Sequence, residues 1–175
     1  MKHVKKSVLL WYSAAEMYAL VIAVEDYPAF LPWCERARVL ERDAEGLTAQ
    51  LDLAYAGVRH AFTTRNMHTP ERSVHIGLVD GPFSLLDGTW RFTALAPPGL
   101  GGSAAPSAAL SAATSVSTPP SAASDPAKAC KIDFELRYAF SNGPLEALIS
   151  PVFDRIANTF VDAFVRRAEQ VYGAR

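Results

Sequence analysis

Polar and apolar residues alternate with a period of two along most of the chain and switch to a helical period near its C-terminal end. Ile132, Phe134, Leu136, Tyr138 and Phe140 alternate with Lys131, Asp133, Glu135, Arg137 and Ala139. Leu47, Ala49, Leu51, Leu53 and Tyr55 alternate with Thr48, Gln50, Asp52 and Ala54, and the sets Val74, Ile76, Leu78 and Trp90, Phe92, Ala94 follow the same rule. Successive strand side chains point to opposite faces, so each run predicts a strand with one buried face. No helical segment separates these runs, which predicts an antiparallel sheet. A further strand is expected over Val4 to Tyr12, followed by a helix whose capping box is Ser13 with Glu16.

After Ser141-Asn-Gly-Pro144 the period lengthens. Leu145, Leu148, Ile149, Val152, Phe153, Ile156, Phe160, Phe164, Ala168 and Val171 recur at three- and four-residue steps, with Glu146, Asp154, Arg155, Asp162, Arg166 and Glu169 on the outer face. This predicts one long helix of about seven turns. The expected fold is therefore α+β: a curved antiparallel sheet wrapped around a long C-terminal helix, with two short helices after the first strand. The space between them is either filled by close-packed side chains or left as an apolar channel between large rings that meet at an angle. The inward set holds Tyr55, Trp90, Phe92, Phe134, Tyr138, Phe140, Phe153, Phe160 and Phe164. In the channel reading Val152 faces the opening directly and Ala157 lies beside it.

Composition bounds this picture. With 175 residues, 50% of them hydrophobic, the chain suits one domain over 1–175 with a sizeable core. One segment departs from it: Ala96 to Ala129 has no aromatic residue and only Asp125 and Lys128 as charges, so it is expected to be a disordered surface insert in place of a hairpin turn. Seventeen basic against eighteen acidic residues give a net charge of -1, which argues against a protein held mainly by nucleic-acid phosphate and predicts no DNA partner. Cys34 and Cys130 have no metal-site or redox spacing and read as buried thiols. Lys2, Lys5 and Lys6 precede only four apolar residues, Val8 to Trp11, too few for a signal peptide, and no run is long enough to span a membrane. The expected location is cytoplasmic, with peripheral contact at the inner face of the membrane as an open addition.

Candidate chemistry is sparse. His60, His68 and His75 fall on different predicted strands without a metal-ligand pattern, and no nucleophile, phosphate-loop or dinucleotide motif occurs, so no enzyme is predicted. Asp52, Asp133 and Glu135 read as solvated outward groups. Thr64, Arg65 and Asn66, at the expected end of a strand, either place polar groups near a ligand or form turn hydrogen bonds. In "VEDYPAFLPWCERARVLE", Pro28 fits the first turn of a short helix and Pro32 its end, so Tyr27, Phe30, Leu31 and Trp33 are presented rigidly as a cavity mouth or as a plug. Val79 to Gly88, where Gly81, Pro82 and Gly88 bracket Phe83, Leu85 and Leu86, reads as a lid that touches a membrane surface or as ordinary loop packing.

The stretches "YPAFLPWC", "FTTRN", "LVDGPFSLLDGTWRF", "CKIDFELRYAFSN" and "RAEQVYG" together resemble the coenzyme Q-binding START-domain family of the polyketide cyclase/START-like superfamily, whose bacterial members are also called ribosome-association toxins. The resemblance covers nearly the whole chain except the insert. It implies a helix-grip fold around an apolar cavity that binds ubiquinone (coenzyme Q) or another polyprenyl quinone, without catalytic cofactor or metal, in support of respiratory electron transport and ubiquinone biosynthesis. Joined to the pattern above, it places the ligand among Tyr27, Phe30, Leu31, Trp33, Phe83, Trp90 and Phe92 on the mouth and sheet side. Phe134, Leu136 and Tyr138, with Phe153, Ile156, Phe160 and Phe164 of the helix, complete the expected site. The alternative is a toxin of a toxin–antitoxin system that binds the large ribosomal subunit and blocks subunit association. Its support would be a basic surface drawn from Lys5, Lys6, Arg36, Arg38, Arg59, Arg65 and Arg72.

Overall fold

A computed structural model describes residues 1–95 and 129–174. The chain runs β1 (Lys2–Leu10), α1 (Ala14–Ile22), a short 3-10 helix (Val24–Ala29), β2 (Cys34–Arg42), β3 (Gly46–Tyr55), β4 (Val58–Thr69), β5 (Ser73–Asp80), β6 (Phe83–Leu95), β7 (Ala129–Phe140) and α2 (Gly143–Tyr172). The seven strands form one antiparallel sheet in the order β1-β7-β6-β5-β4-β3-β2. Helix α2 touches β7, β1 and β4 on the inner face, and α1 closes one end against α2 and β6. This is the helix-grip architecture that the periodicity predicts.

Local signals account for most boundaries. Ser13 Oγ accepts from Glu16 N at 3.0 Å while Ser13 N donates to the Glu16 carboxylate at 2.9 Å, the reciprocal cap that starts α1. Asn142 Oδ1 accepts from Leu145 N at 2.9 Å and starts α2, with Pro144 in its first turn, where no N–H is needed. Strand β1 covers Lys2–Leu10 instead of Val4 to Tyr12. Tyr12 is drawn out of the strand because its hydroxyl donates to the Gly173 carbonyl at 2.7 Å, tying the β1–α1 turn to the end of α2. Strand β2 escapes the periodicity because it is a sheet edge, exposed along most of its length, where no apolar face is demanded.

Several inward assignments need correction. Ala94, Leu148 and Val171 are exposed, and Val152 is only half-buried, whereas Ala157 and Val161 are fully inside. Val79 to Gly88, read as a lid or as loop packing, is mostly strand: only Gly81 and Pro82 separate β5 from β6, Gly81 takes φ 145°, and a Cβ there would lie 2.7 Å from Phe62 Cβ. A register shift between Phe83 and Leu85 lets Phe83 and Leu86, three residues apart, both turn inward. Pro28 is the fifth residue of the six-residue 3-10 helix, not in its first turn.

Asp154, expected on the outer face of α2, is half-buried instead. Its carboxylate is paired with Lys2 and accepts from Tyr138 Oη at 2.5 Å, and Lys2 Nζ also donates to Ser150 Oγ at 2.7 Å. This cluster fastens α2 to β1 and β7. Burial alone would raise the Asp154 carboxyl, but hydrogen bonds from Lys2, Tyr138 and Ser150 and the Lys2 charge outweigh it and hold the group below its ordinary 3.8. A lowered folded-state value stabilises the fold above the unfolded-state value and is lost as pH falls through the folded one. The acid limb of a denaturation series below pH ~4 should therefore steepen in the wild type relative to Asp154→Asn. Parallel limbs would show that the cluster contributes nothing.

The expected insert at 96–129 lies outside the described residues up to Ala129, which pairs directly with Leu95 across the β6–β7 ladder. Because the flanking residues are already neighbours, replacing Pro98 to Ala127 with a short glycine-containing turn should shift the melting temperature by only a few degrees, about what a change of 1 kcal/mol produces. A larger loss would mean that the insert packs on the sheet.

Candidate ligand-binding cavity

The inner face of the sheet and α2 enclose a cavity of about 60 Å³. Ala49 and Leu51 of β3, Phe62 of β4, Ile76 of β5 and Leu86 of β6 form its sheet wall, together with Phe134 and Leu136 of β7. Phe153, Ile156, Ala157 and Phe160 of α2 face them, and Val24, Tyr27 and Trp33 close one end. Alanine at 49 and 157 leaves the room, since an interior otherwise packs to near crystal density. A drug-sized ligand needs about 300–1,000 Å³, so side chains fill most of the interior and the cavity is smaller than any ligand it would hold.

Two polar side chains face this space, Thr64 and Asn66, at 3% and 6% exposure. Both lie in the middle of β4, not at its end, and point inward by the same alternation that turns Arg65 outward to pair with Asp43 at 2.7 Å. Thr64 Oγ1 donates to Asn66 Oδ1 at 2.9 Å. With Oδ1 engaged by Thr64, the donor end of the Asn66 side chain is its amide nitrogen. It therefore offers two N–H donors to a wall that is otherwise apolar. Gly46 makes this placement feasible, because a Cβ there would sit 1.9 Å from the Asn66 carbonyl oxygen and force β3 away from β4.

A second space, a cleft of about 310 Å³, lies between Ala29–Trp33 and the Thr159, Ala163, Arg166, Arg167 and Gln170 side of α2. Trp33 thus borders both spaces. Its ring stands 6.1 Å from that of Phe160.

Of the side chains expected around a ligand, Tyr27, Trp33, Phe134, Leu136, Phe153, Ile156 and Phe160 border the cavity. Phe30 borders the outer cleft. Leu31, Phe83, Trp90, Phe92, Tyr138 and Phe164 are buried in the core but do not reach the cavity. Trp90 and Phe164, for example, are wholly buried against each other with centroids 5.1 Å apart. Val152 does not border the cavity; Ala157 does.

The histidines and cysteines among the described residues do not gather at one site. His60 and His68 share β4, contrary to expectation, and no cluster with metal-binding spacing occurs among the described residues. Burial, with the charges of Arg42 and Arg65, pushes the His68 imidazole below its ordinary value, so it is neutral near pH 7. Its buried Nε2 has no partner among the described residues, and the ring lies edge-on to Tyr18 at 6.2 Å. Burial pushes the Cys34 and Cys130 thiols up to about 12 and about 11, so both are inert as nucleophiles at neutral pH.

A curved sheet closed by a long C-terminal helix over a small apolar cavity defines the START-like class of helix-grip proteins. The chain belongs to the polyketide cyclase / dehydrase and lipid transport family, whose sequence pattern matches residues 10–165. It is 35% identical over 171 residues to the ribosome association toxin RatA of Pseudomonas aeruginosa, covering 98% of both chains. It is 27% identical over 169 residues to the mitochondrial coenzyme Q-binding protein COQ10 homolog B of Xenopus laevis, covering 96% of this chain and 58% of the relative. A START superfamily protein from Mycobacterium smegmatis has the same fold, with a TM-score of 0.64 and 18% identity over 97% of this chain and 98% of that one. Among the described residues no helix is long and apolar enough to cross a membrane.

Proposed function

We propose that this protein binds an apolar ligand bearing a carbonyl, ubiquinone or a similar polyprenyl quinone, between its sheet and α2, without transforming it. The observation that carries this reading is the Thr64–Asn66 pair, at 3% and 6% exposure, on an otherwise apolar cavity wall. A quinone carbonyl accepts from the Asn66 amide nitrogen, while Thr64 fixes the orientation of the amide. The isoprenoid tail supplies the affinity, at about 0.8 kcal/mol per buried CH₂. A lipid-transport family and a coenzyme Q-binding relative lend support. The polar cavity groups are a hydroxyl and an amide, which neither titrate near pH 7 nor activate each other, so the reading contains no reaction. Its role is to shield the quinone from water and deliver it to membrane enzymes of respiration and quinone biosynthesis.

Purified from a quinone-producing host, the protein should yield a polyprenyl quinone in its organic extract by mass spectrometry, and Asn66→Leu, close in volume, should yield several-fold less at unchanged stability. An extract free of quinone from the wild type would overturn the reading.

A second reading is favoured by the similarity to the RatA protein along almost the whole of both chains: association with the ribosome, in which the cavity is incidental. Adding the protein to ribosomes and separating subunits on a gradient distinguishes the two. A rise in free subunits that Asn66→Leu leaves intact supports the second.

A further inference from the structure

The inner cavity and the outer cleft share one lining residue, Trp33. Trp33 borders the cavity together with Phe160, and it borders the cleft together with Pro32, Thr159 and Ala163. The cavity, at about 60 Å³, holds no quinone by itself, but joined to a cleft of about 310 Å³ it reaches the volume range of real ligand pockets. Trp33 sits just after Pro32 in the short connection between the 3-10 helix and β2, not inside a regular element. The Trp33 carbonyl accepts from Ala54 N at 2.8 Å, which ties its backbone to β3, so the motion that joins the two spaces without breaking the sheet is a swing of the Trp33 side chain.

The rim of the cleft is chemically distinctive. Arg166 and Arg167 both line it, and among the described residues neither has a carboxylate within ion-pair distance. The Arg167 guanidinium lies over the Phe30 ring at 5.3 Å, and Arg166 Nε reaches only the Asp162 carbonyl, at 3.5 Å. Asp162 and Glu169, the acidic neighbours on α2, are exposed and leave both guanidiniums unneutralised. An aromatic ring, a proline and two guanidiniums without a carboxylate partner, around a mouth lined about equally by polar and apolar surface, match the interface of a bilayer that carries negative headgroups, where arginine meets phosphate and the ring meets the acyl boundary.

We propose that the cleft between Ala29–Trp33 and the Thr159–Gln170 side of α2 is the mouth of the cavity, with Trp33 as its movable partition, and that Arg166 and Arg167 seat this mouth on an anionic lipid surface. The inference rests on the quinone-binding reading above. A polyprenyl quinone is stored in the bilayer, so a protein that collects it must turn its opening toward lipid. The β5–β6 turn, the other candidate for membrane contact, keeps Phe83 and Leu86 inside and offers only Val79 as an exposed apolar group.

The test uses the full chain and vesicles of phosphatidylcholine, with or without phosphatidylglycerol and loaded with ubiquinone. The wild type should sediment with the phosphatidylglycerol vesicles only and leave carrying quinone. Arg166→Glu with Arg167→Glu should lose about tenfold or more in vesicle affinity, while Arg72→Glu with Arg91→Glu, the same charge change at two exposed sites, in the β4–β5 turn and on β6, should not. Ala163→Trp, which narrows the cleft from the helix side, should slow quinone uptake severalfold at an unchanged melting temperature. Should it unfold the protein, Ala163→Leu replaces it, with the same slower uptake expected. Equal vesicle binding by both charge-reversed proteins, or by the wild type with and without phosphatidylglycerol, overturns the lipid surface. Uptake by the narrowed variant at the wild-type rate overturns the mouth. Sedimentation with large ribosomal subunits instead of vesicles, lost on reversal of Arg166 and Arg167, would assign these guanidiniums to nucleic-acid phosphate and overturn it as well. A wild type that takes up no quinone even from detergent overturns the quinone reading itself, a result separate from all of these.

Discussion

Phe164→Ala is expected to lower the unfolding free energy by about 3–5 kcal/mol, measured by denaturant titration, and to be the most damaging truncation on α2. Phe164 is 0% exposed, and its ring centroid lies 5.0 Å from Phe30, 5.1 Å from Trp90 and Phe160, and 5.3 Å from Tyr27. Deleting the ring removes contacts from four neighbours held by α2 itself, the 3-10 helix with its C-cap, and β6, and such neighbours cannot all collapse into the gap. Phe160→Ala should cost distinctly less. Phe160 is half-buried and borders the cavity, so part of its surface has no packing partner to lose. If Phe160→Ala costs as much as Phe164→Ala, the space beside Phe160 is closed and the ligand-binding reading loses its basis. The pair thus separates a core ring from a cavity ring by energetics alone.

The same contrast explains which parts of the site were legible in the sequence. A period of two assigns a residue to a face of a strand but not to a depth along it. Trp90, Phe92 and Phe134 all read correctly as inward, yet only Phe134 reaches the cavity. From β2 to β7 each strand pairs with the next in sequence, which alternation in successive runs suggests, whereas the pairing of β1 with β7 at the far end of the chain has no local signal. A ligand site also depends on where side chains are missing, and there the signal was weak. Ala49 and Ala157 shape the cavity by being small, and an alanine at an inward position resembles any other apolar residue in a periodicity count. On α2 the choice of Val152 over Ala157 failed for a geometric reason. Val152 stands four residues before Ile156, but steps of four drift around a helix of about 3.6 residues per turn, so Val152 falls at the half-buried edge while Phe153, Ile156 and Ala157 face inward. Thr64 and Asn66 could be found as polar interruptions of an inward row. Their place in the middle of β4 depends on pairing with β3 and β5, which hydrophobic alternation does not encode. Strand β2 was invisible because an exposed edge imposes no pattern on its side chains.

Ala157→Leu probes the cavity from the side that periodicity misjudged. Ala157 is 1% exposed and lines the cavity, so the added side chain must enter space that is either empty or already occupied. In a solid core the extra carbons force neighbours off their rotamers, at a cost of about 1–3 kcal/mol. At a cavity of about 60 Å³ they find room comparable to their own volume and gain contacts instead. The expected result is an unfolding free energy within about 1 kcal/mol of the wild type, together with a marked fall in the quinone recovered in the organic extract. Both halves are needed, because a stable variant that still carries its full load of quinone would mean that the ligand lies elsewhere. A variant destabilised by the full overpacking cost would mean that the void is not there to be filled. Val152→Leu provides the internal reference: it adds one carbon at a half-buried position outside the cavity, and it should change neither stability nor quinone content. A ligand that follows residue 157 and ignores residue 152 would place the isoprenoid tail against the Phe153–Ala157–Phe160 face of α2, within reach of the Asn66 amide that lines the opposite wall.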